Sequence, residues 1–588
     1  MKWFAFLLLT ALPLSAQTPA VPTFAHDIAP IVYKNCAPCH RPGEPGPFSL
    51  LTYEDVKKHA RQMVAVTRSR YMPPWPPEQG YGKFLDERRL TDAQLRTISD
   101  WVKAGTPEGP AAEVPPPPHF STGWQLGTPD LILTAPRPFT VPAGGPDVFW
   151  DFIFQPNLKR SRYVRAIEIR PGLTKSIHHA NLLLDRSGDS RRLEATPGAG
   201  FGGMDLTIDR SPFDPDSHFL FWKPGSTPYS EAPGFSWRLD PGNLLVLNTH
   251  LQPTGRPEQE QPTIGLYFTD QPPTHFPILI QLEHDGALNI PAGDPDFEVS
   301  DDFTLPEDVD VLAVYPHAHY LGKLLEGYAT LPDGTRRWLI RIPHWDLNWQ
   351  AVYRYCTPVF LPKGSVIHMR YHYDNSAANP RNPNSPPKRV MAGNQATDEM
   401  GHLWLQVLPR GAGDHRRPIQ EALMRHRLQK YPDDFAAHMN LGALMLSRLD
   451  AQDAIPMLRA AVRIDPTRAD AQNMLGTALQ SVGRLQEAIA QFRLALQLQP
   501  GYLNAHYNLA GALVKSGDLP EAVEQFRPVI AAYPEDPHLQ NQFGELLAEE
   551  GKTAEALVHF DKAIALNPAY TAARQNRELV ERREAVPQ

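Results

Sequence analysis

Cysteine is nearly absent: the 588-residue chain has three. Cys36 and Cys39 stand together, so Cys356 has no partner and a disulfide-laced fold is excluded. With no neighbouring base to activate it, Cys356 reads as a buried small apolar residue rather than a reactive thiol. Positive charge is not in excess either. A formal net charge of -8 offers no basic stripe for nucleic acid. Beyond the N-terminus no stretch approaches the ~18 consecutive apolar residues of a membrane span. Proline, by contrast, is abundant at 62 residues. It clusters before and inside the middle third, which favours turns and strand edges over helices there.

The chain is too long for one core, so three or more domains are expected. The opening "MKWFAFLLLTALPLSAQ" pairs Lys2 with an apolar stretch and a small residue, Ala16. Residues 1–16 therefore read as a secretory signal, and the protein as exported, periplasmic or secreted. Residues 23–108 mix short helices with turns. "LTDAQLRTISDWVKAG" has an N-cap Thr91, apolar residues at helical spacing and a stop at Gly105. The proline-rich stretch 109–120 reads as a stiff spacer. From 121 to 410 short alternating runs broken by Pro, Gly, Asp and Asn predict two antiparallel β-sandwiches, divided at 272/273.

The last part, 418–585, repeats. Pro432, Pro466, Pro500, Pro534 and Pro568 are spaced 34 residues apart, and Gly442, Gly476, Ala510 and Gly544 keep the same period. So do Ala454, Ala488, Ala522 and Ala556, each followed four places on by Leu458, Phe492, Phe526 or Phe560. The pattern resembles the tetratricopeptide repeat, an α-helical solenoid whose helix pairs bury their apolar faces only by stacking. Four units and a closing helix are expected, with a surface for a protein or peptide partner.

"NCAPCH" is the attachment signature of c-type haem: Cys36 and Cys39 add to two vinyl groups, and His40 offers a ring nitrogen to iron. A zinc half-site would want a second Cys/His pair nearby, and a redox CxxC a βαβ setting; neither is present. Residues 23–108 are thus expected to form a small all-α, cytochrome c-like domain with one covalent haem. Met72, in "YMPPWPP", resembles the methionine loop of small cytochromes c and is the expected sixth ligand, with His59 as its rival. A His/Met pair suits an electron carrier and leaves no position open for oxygen.

The middle region carries "SIHHANLLLD", "LVLNTHLQPTG", "VYPHAHYLGK" and "ATDEMGHLW". His317 and His319, two apart on a strand, share one face, which suits two ligands of one metal. His178 and His179 are neighbours and need a bulge or a strand end to act together. Imidazole with a thioether such as Met400 favours copper. His218, His368 and His372 are rival histidines.

The order His-His, lone His, His-x-His-x-x-Gly, Asp-Glu-Met resembles the type II copper, ascorbate-dependent monooxygenases, the family of peptidylglycine α-hydroxylating monooxygenase and dopamine β-hydroxylase. The likeness covers roughly residues 121–410. It implies two successive jelly-roll sandwiches, one copper on each, facing across a solvent-filled cleft. By position, His178, His179 and His250 would hold an electron-storing copper. His317, His319 and Met400 would hold the copper where oxygen and substrate react, and Gly322 falls on the family's glycine. The resemblance implies a copper-dependent monooxygenase acting on a small organic substrate with O2, its electrons from an ascorbate-like reductant or a cytochrome. The fused haem suggests the second route. Two departures matter. Tyr315 stands where peptide-amidating members carry a carboxylate-gripping arginine, and Trp404 where they have a tyrosine, so a peptide substrate is not implied. The other reading is a non-catalytic haem/copper electron-transfer and protein-interaction scaffold.

Overall fold

The computed structural model describes residues 21–44, 46–120, 123–173, 175–186, 188, 190–203, 218–395 and 397–584. The expected signal segment 1–16 lies outside them. Residues up to 414, apart from Leu305–Glu307, form one compact unit, and His415 onward a second. No described helix is long and apolar enough to cross a membrane.

Three helices, Ala29–Asn35, Tyr53–Arg68 and Asp92–Lys103, open the first unit. Thr91 and Gln94 form a reciprocal capping box at the third, and Gly105, at φ +86°, follows its end. Phe24, Ile28, Val32, Val56, Met63, Ile98 and Trp101 make the core between them. The proline-rich stretch does not run free as a spacer. Val114 packs on that core, and the Arg41 guanidinium lies 3.9 Å from the Phe120 ring centroid. Residues 78–85 also leave the helices: the Leu85 N–H donates to the Arg354 carbonyl at 2.7 Å, and the Cys356 N–H to that of Lys83 at 2.9 Å.

The β-rich region is two antiparallel sandwiches. In the first, a four-stranded sheet runs Leu131–Thr134, Thr263–Thr269, Arg162–Arg170, Trp237–Leu239. Its five-stranded partner runs Phe201–Gly202, Val148–Phe154, Leu244–Leu251, Ile177–Asp185, Phe221–Trp222. Phe152, Leu182, Leu245 and Leu247 from the second sheet pack on Val164, Trp237, Ile264 and Leu266 from the first. The central strand Leu244–Leu251 is buried along its whole length. The second sandwich has a sheet ordered Ile278–Glu283, Gly401–Pro409, Val309–Ala318, Tyr353–Leu361. The other sheet is ordered Phe297–Thr304, Val366–Tyr373, Gly322–Thr330, Arg336–Ile342. Tyr371 and Tyr373 reach between these sheets, their hydroxyls donating to the His402 and Met400 carbonyls at 2.9 and 2.8 Å. One expectation fails here. Cys356 is exposed, not buried, because it alternates with Tyr353 and Tyr355, whose side chains take the inward face of that strand.

The second unit is a solenoid of paired helices, beginning Phe435–Ser447 with Ala451–Ile464 and closing with Thr571–Glu584. A leading helix, Arg416–Lys430, precedes the first pair. The period in the sequence has a steric cause. A β-carbon on Gly442, Gly476 or Gly544 would stand 2.6, 2.5 or 2.7 Å from Leu458, Phe492 or Phe560, so each small residue admits the large one on its paired helix. The prolines serve a second contact, since His438, Gln472, His506 and Gln540 each hydrogen-bond the carbonyl of the proline six residues earlier.

This packing makes an unusual test. Alanine exceeds glycine in helix propensity by about 1 kcal/mol, yet Gly476→Ala should lower stability by about 1–3 kcal/mol through overpacking against Phe492. Denaturant unfolding followed by circular dichroism checks the sign.

Candidate functional site

The first histidine cluster depends on a slip of register. Strand Ile177–Asp185 pairs with Leu244–Leu251 as Ile177 with Leu251, then His179 with His250. His178 is the extra residue of a bulge, which turns neighbours that would splay apart toward one side. The ring centroids of His178, His179 and His250 are 4.9 to 5.3 Å apart. One ring nitrogen from each lies within 4.8 Å of the others. His178 Nδ1 and His179 Nδ1 are 3.1 Å apart. Two nitrogens bound to one ion at ~2.0–2.1 Å sit about 2.9–3.4 Å from each other, so the spacing suits a shared metal.

His250 is oriented by a carboxylate that sequence reading missed. Its Nε2 lies 2.7 Å from Asp147 Oδ2, while its Nδ1 is buried without a partner. A buried ring nitrogen left bare is what a metal ligand looks like before the ion is counted. Asp147 precedes strand Val148–Phe154, whose Phe149 pairs with His250. Nothing local in the sequence marks it. Burial holds His178 down to about 4 and His179 well below its ordinary value, so both rings are neutral, as ligation requires.

The second cluster is assembled by strand pairing. His317 faces His402 and Ala318 faces Gly401, and His319 and Met400 are the next residues beyond these paired strand ends. Directly opposed residues share a face, so His317 and His402 lie on one side of the sheet, their ring centroids 6.2 Å apart. The His317 and His319 ring centroids are 5.3 Å apart. His319 Nδ1 is 3.0 Å from the Asp398 carbonyl and His317 Nδ1 is 2.8 Å from Gln350 Oε1, which leaves both Nε2 lone pairs for a ligand. Burial pushes His319 to about 4 and His317 far down. His402, unforeseen as a cluster member, directs Nε2 to Asp285 at 3.0 Å.

Glu399 clamps this cluster. It is fully buried and accepts backbone N–H groups of His319, Leu321 and Met400, the last two at 2.9 Å. Burial raises its carboxyl to about 8 against the downward pull of those three donors. Gly322 has a steric reason: a β-carbon there would meet Trp345 at 2.6 Å, and Trp345 Nε1 donates to the His319 carbonyl at 3.0 Å.

The two clusters do not face each other across an open, solvent-filled cleft, as the resemblance implied. Gln350, 1% exposed, reaches from the second sandwich to the first. Its Nε2 is 3.0 Å from His179 Nδ1, and its Oε1 accepts from Tyr315 Oη at 2.9 Å as well as from His317. Phe221 fills the same gap, with ring centroids 5.8 Å from His179 and 5.2 Å from Tyr315. The rival histidines stand elsewhere. His218 meets Glu231, and His368 and His372 meet Asp302 and Asp296 on the outer sheet of the second sandwich.

Cys36, Cys39, His40 and Met72 line a cavity of about 780 Å³ between the N-terminal helices and the sandwiches, and His178 lines it too. Cys36 follows the helix Ala29–Asn35, and the Cys39 and His40 N–H groups turn back onto its carbonyl. His40 Nδ1 is 3.2 Å from the Phe48 carbonyl, which frees Nε2 for a ligand. Burial raises the Cys36 thiol to about 12, which disfavours its thiolate, and among the described residues no metal-holding group includes either cysteine. Two free thiols, an imidazole with its Nε2 unengaged and a thioether around one large, mostly apolar cavity fit a covalently attached haem. His59 does not line the cavity; it stacks on Phe48 at 3.7 Å. Met63 does line it and stands as a second candidate thioether. Four basic side chains line the same space, Arg88, Lys175, Lys223 and Arg354, with Lys223 held down to about 8 by burial and by Arg88.

Comparison with known proteins finds repeats in the second unit. Two tetratricopeptide repeat family models match residues 446–503 and 479–541. YrrB, described as a TPR protein with an unusual peptide-binding site, is 23% identical over 28% of this chain and 84% of its own, with a TM-score of 0.26. MamA of Desulfovibrio magneticus RS-1 is 22% identical over 26% of this chain and 85% of its own, with a TM-score of 0.25. No curated protein matches the chain. The C-terminal region carries tetratricopeptide repeats.

Proposed function

We propose that the protein is an exported, copper-dependent monooxygenase that hydroxylates a small organic substrate with O2 and draws electrons through a c-type haem on the same chain. The observation that carries this reading is the shared cavity: the CxxCH motif and His178 line one space, so a haem held there would abut the first histidine cluster.

Cys36 and Cys39 would hold the haem covalently, and His40 and Met72 would ligate its iron. His178, His179 and His250 would hold one copper; His317, His319 and Met400 the other. Bound, these groups supply one-electron redox chemistry and oxygen activation. Overall, substrate C–H, O2, two electrons and two protons yield the alcohol and water. The chain's own residues prepare the ground for this. Asp147, the Asp398 carbonyl and Gln350 fix ring orientations, and burial keeps the imidazoles neutral. Phe221, Tyr315 and Gln350 occupy the space between the clusters. The repeats would carry a protein or peptide partner on their concave face.

Metal and haem analysis of the purified chain tests the assignment. One covalent haem and two coppers are expected after anaerobic loading with Cu(I). Replacing Cys36 and Cys39 by serine should remove the haem and leave both coppers, whereas His178→Ala should lose one copper and keep the haem. A chain that takes up no copper overturns the reading in favour of a non-catalytic scaffold.

Turnover is a separate test. Substrate-dependent oxygen uptake with a reduced cytochrome as donor should fall at least about a hundredfold in Met400→Ala, the scale of losing a group that acts at the reacting centre. Copper-loaded protein that consumes no oxygen across a panel of aliphatic and aromatic substrates argues against an enzyme.

A further inference from the structure

Gln350 belongs to neither expected ligand set, yet it touches both. A neutral imidazole has one nitrogen that carries hydrogen and one that carries a lone pair. At His317 the Gln350 oxygen accepts from Nδ1–H, so the Nε2 lone pair is held ready. At His179 the Gln350 amide N–H is directed at Nδ1. That nitrogen also stands 3.1 Å from His178 Nδ1, at the point where the first cluster converges. One lone pair cannot both accept from an amide and bind a metal. The side chain is 1% exposed, so no water replaces either contact without opening the contact between the sandwiches.

We propose that Gln350 couples the two clusters antagonistically: it positions His317 for metal binding while occupying the His179 nitrogen that the first cluster needs. A metal entering the first cluster displaces the amide, and the displaced amide no longer anchors His317 or Tyr315. By linkage, a metal at the second cluster, which favours the anchored His317, opposes loading of the first by the same factor. The inference rests on the copper reading of both clusters. Gln350 is a positioning residue, set between them by the short turn Leu347–Trp349 that Asp346 caps.

The test uses Cu(I) alone, with affinity read by competition against a chelator under anaerobic conditions. The first cluster is isolated in a His319→Ala background and the second in a His178→Ala background. Gln350→Leu removes both amide contacts without adding a donor for Cu(I). In the first background it should tighten Cu(I) binding about three- to tenfold, the scale of one hydrogen bond no longer competing. In the second it should weaken binding by a similar factor. Opposite signs at the two clusters distinguish coupling from general damage, which would weaken both. Gln350→Ala should reproduce the pattern. Unchanged affinities, or weaker binding at both clusters, overturn the coupling while leaving the copper reading intact. If neither background binds Cu(I) with Gln350 in place, the copper reading itself falls.

Discussion

Everything at the first cluster depends on one extra residue in a strand. A regular strand would send His178 and His179 to opposite faces, and only one could meet His250. The slip between Ile177 and His179 removes that choice. It can persist because the partner strand Leu244–Leu251 is buried throughout and pairs on both sides, holding register on either side of the irregularity. The bulge also leaves His178 on the wall of the large cavity, so the same distortion that gathers three rings gives one of them a second neighbour.

The second cluster is reached by a different route. It needs no irregularity at the histidines, because residues two apart already share a face. What it needs is a neighbouring strand in the right register. Tyr371, Tyr373 and Glu399 supply this by bonding the backbone around His402, Met400 and His319, so the strand end is held from behind and from the side.

How much of this was readable in advance follows from distance along the chain. The repeats were legible because their packing rule, a small residue admitting a large one, recurs at a fixed period. The histidine order was legible because the motifs are short, and the adjacent pair itself demanded a bend. Asp147, Gln350 and His402 were not, because each acquires its role through a strand or turn brought close only by folding. Cys356 was misplaced for a related reason. Its exposure is set by which face Tyr353 and Tyr355 occupy, and a single apolar residue does not declare its face. The closed contact between the sandwiches was hidden as well, since no sequence pattern foretells that a glutamine will span it.

The crossing of residues 78–85 onto the second sandwich has a bearing on how the molecule can be divided. Leu85 pairs with the backbone of Arg354 and Cys356 with that of Lys83, while Glu78 forms an ion pair with Arg341. The N-terminal helices are therefore not a bead on a string. Cutting the chain at the proline-rich stretch would strip an outer strand of its covering and expose a row of unsatisfied amides and carbonyls, the kind of edge on which chains associate. The piece that looks most separable in sequence acts as the selvedge of the fabric beside it.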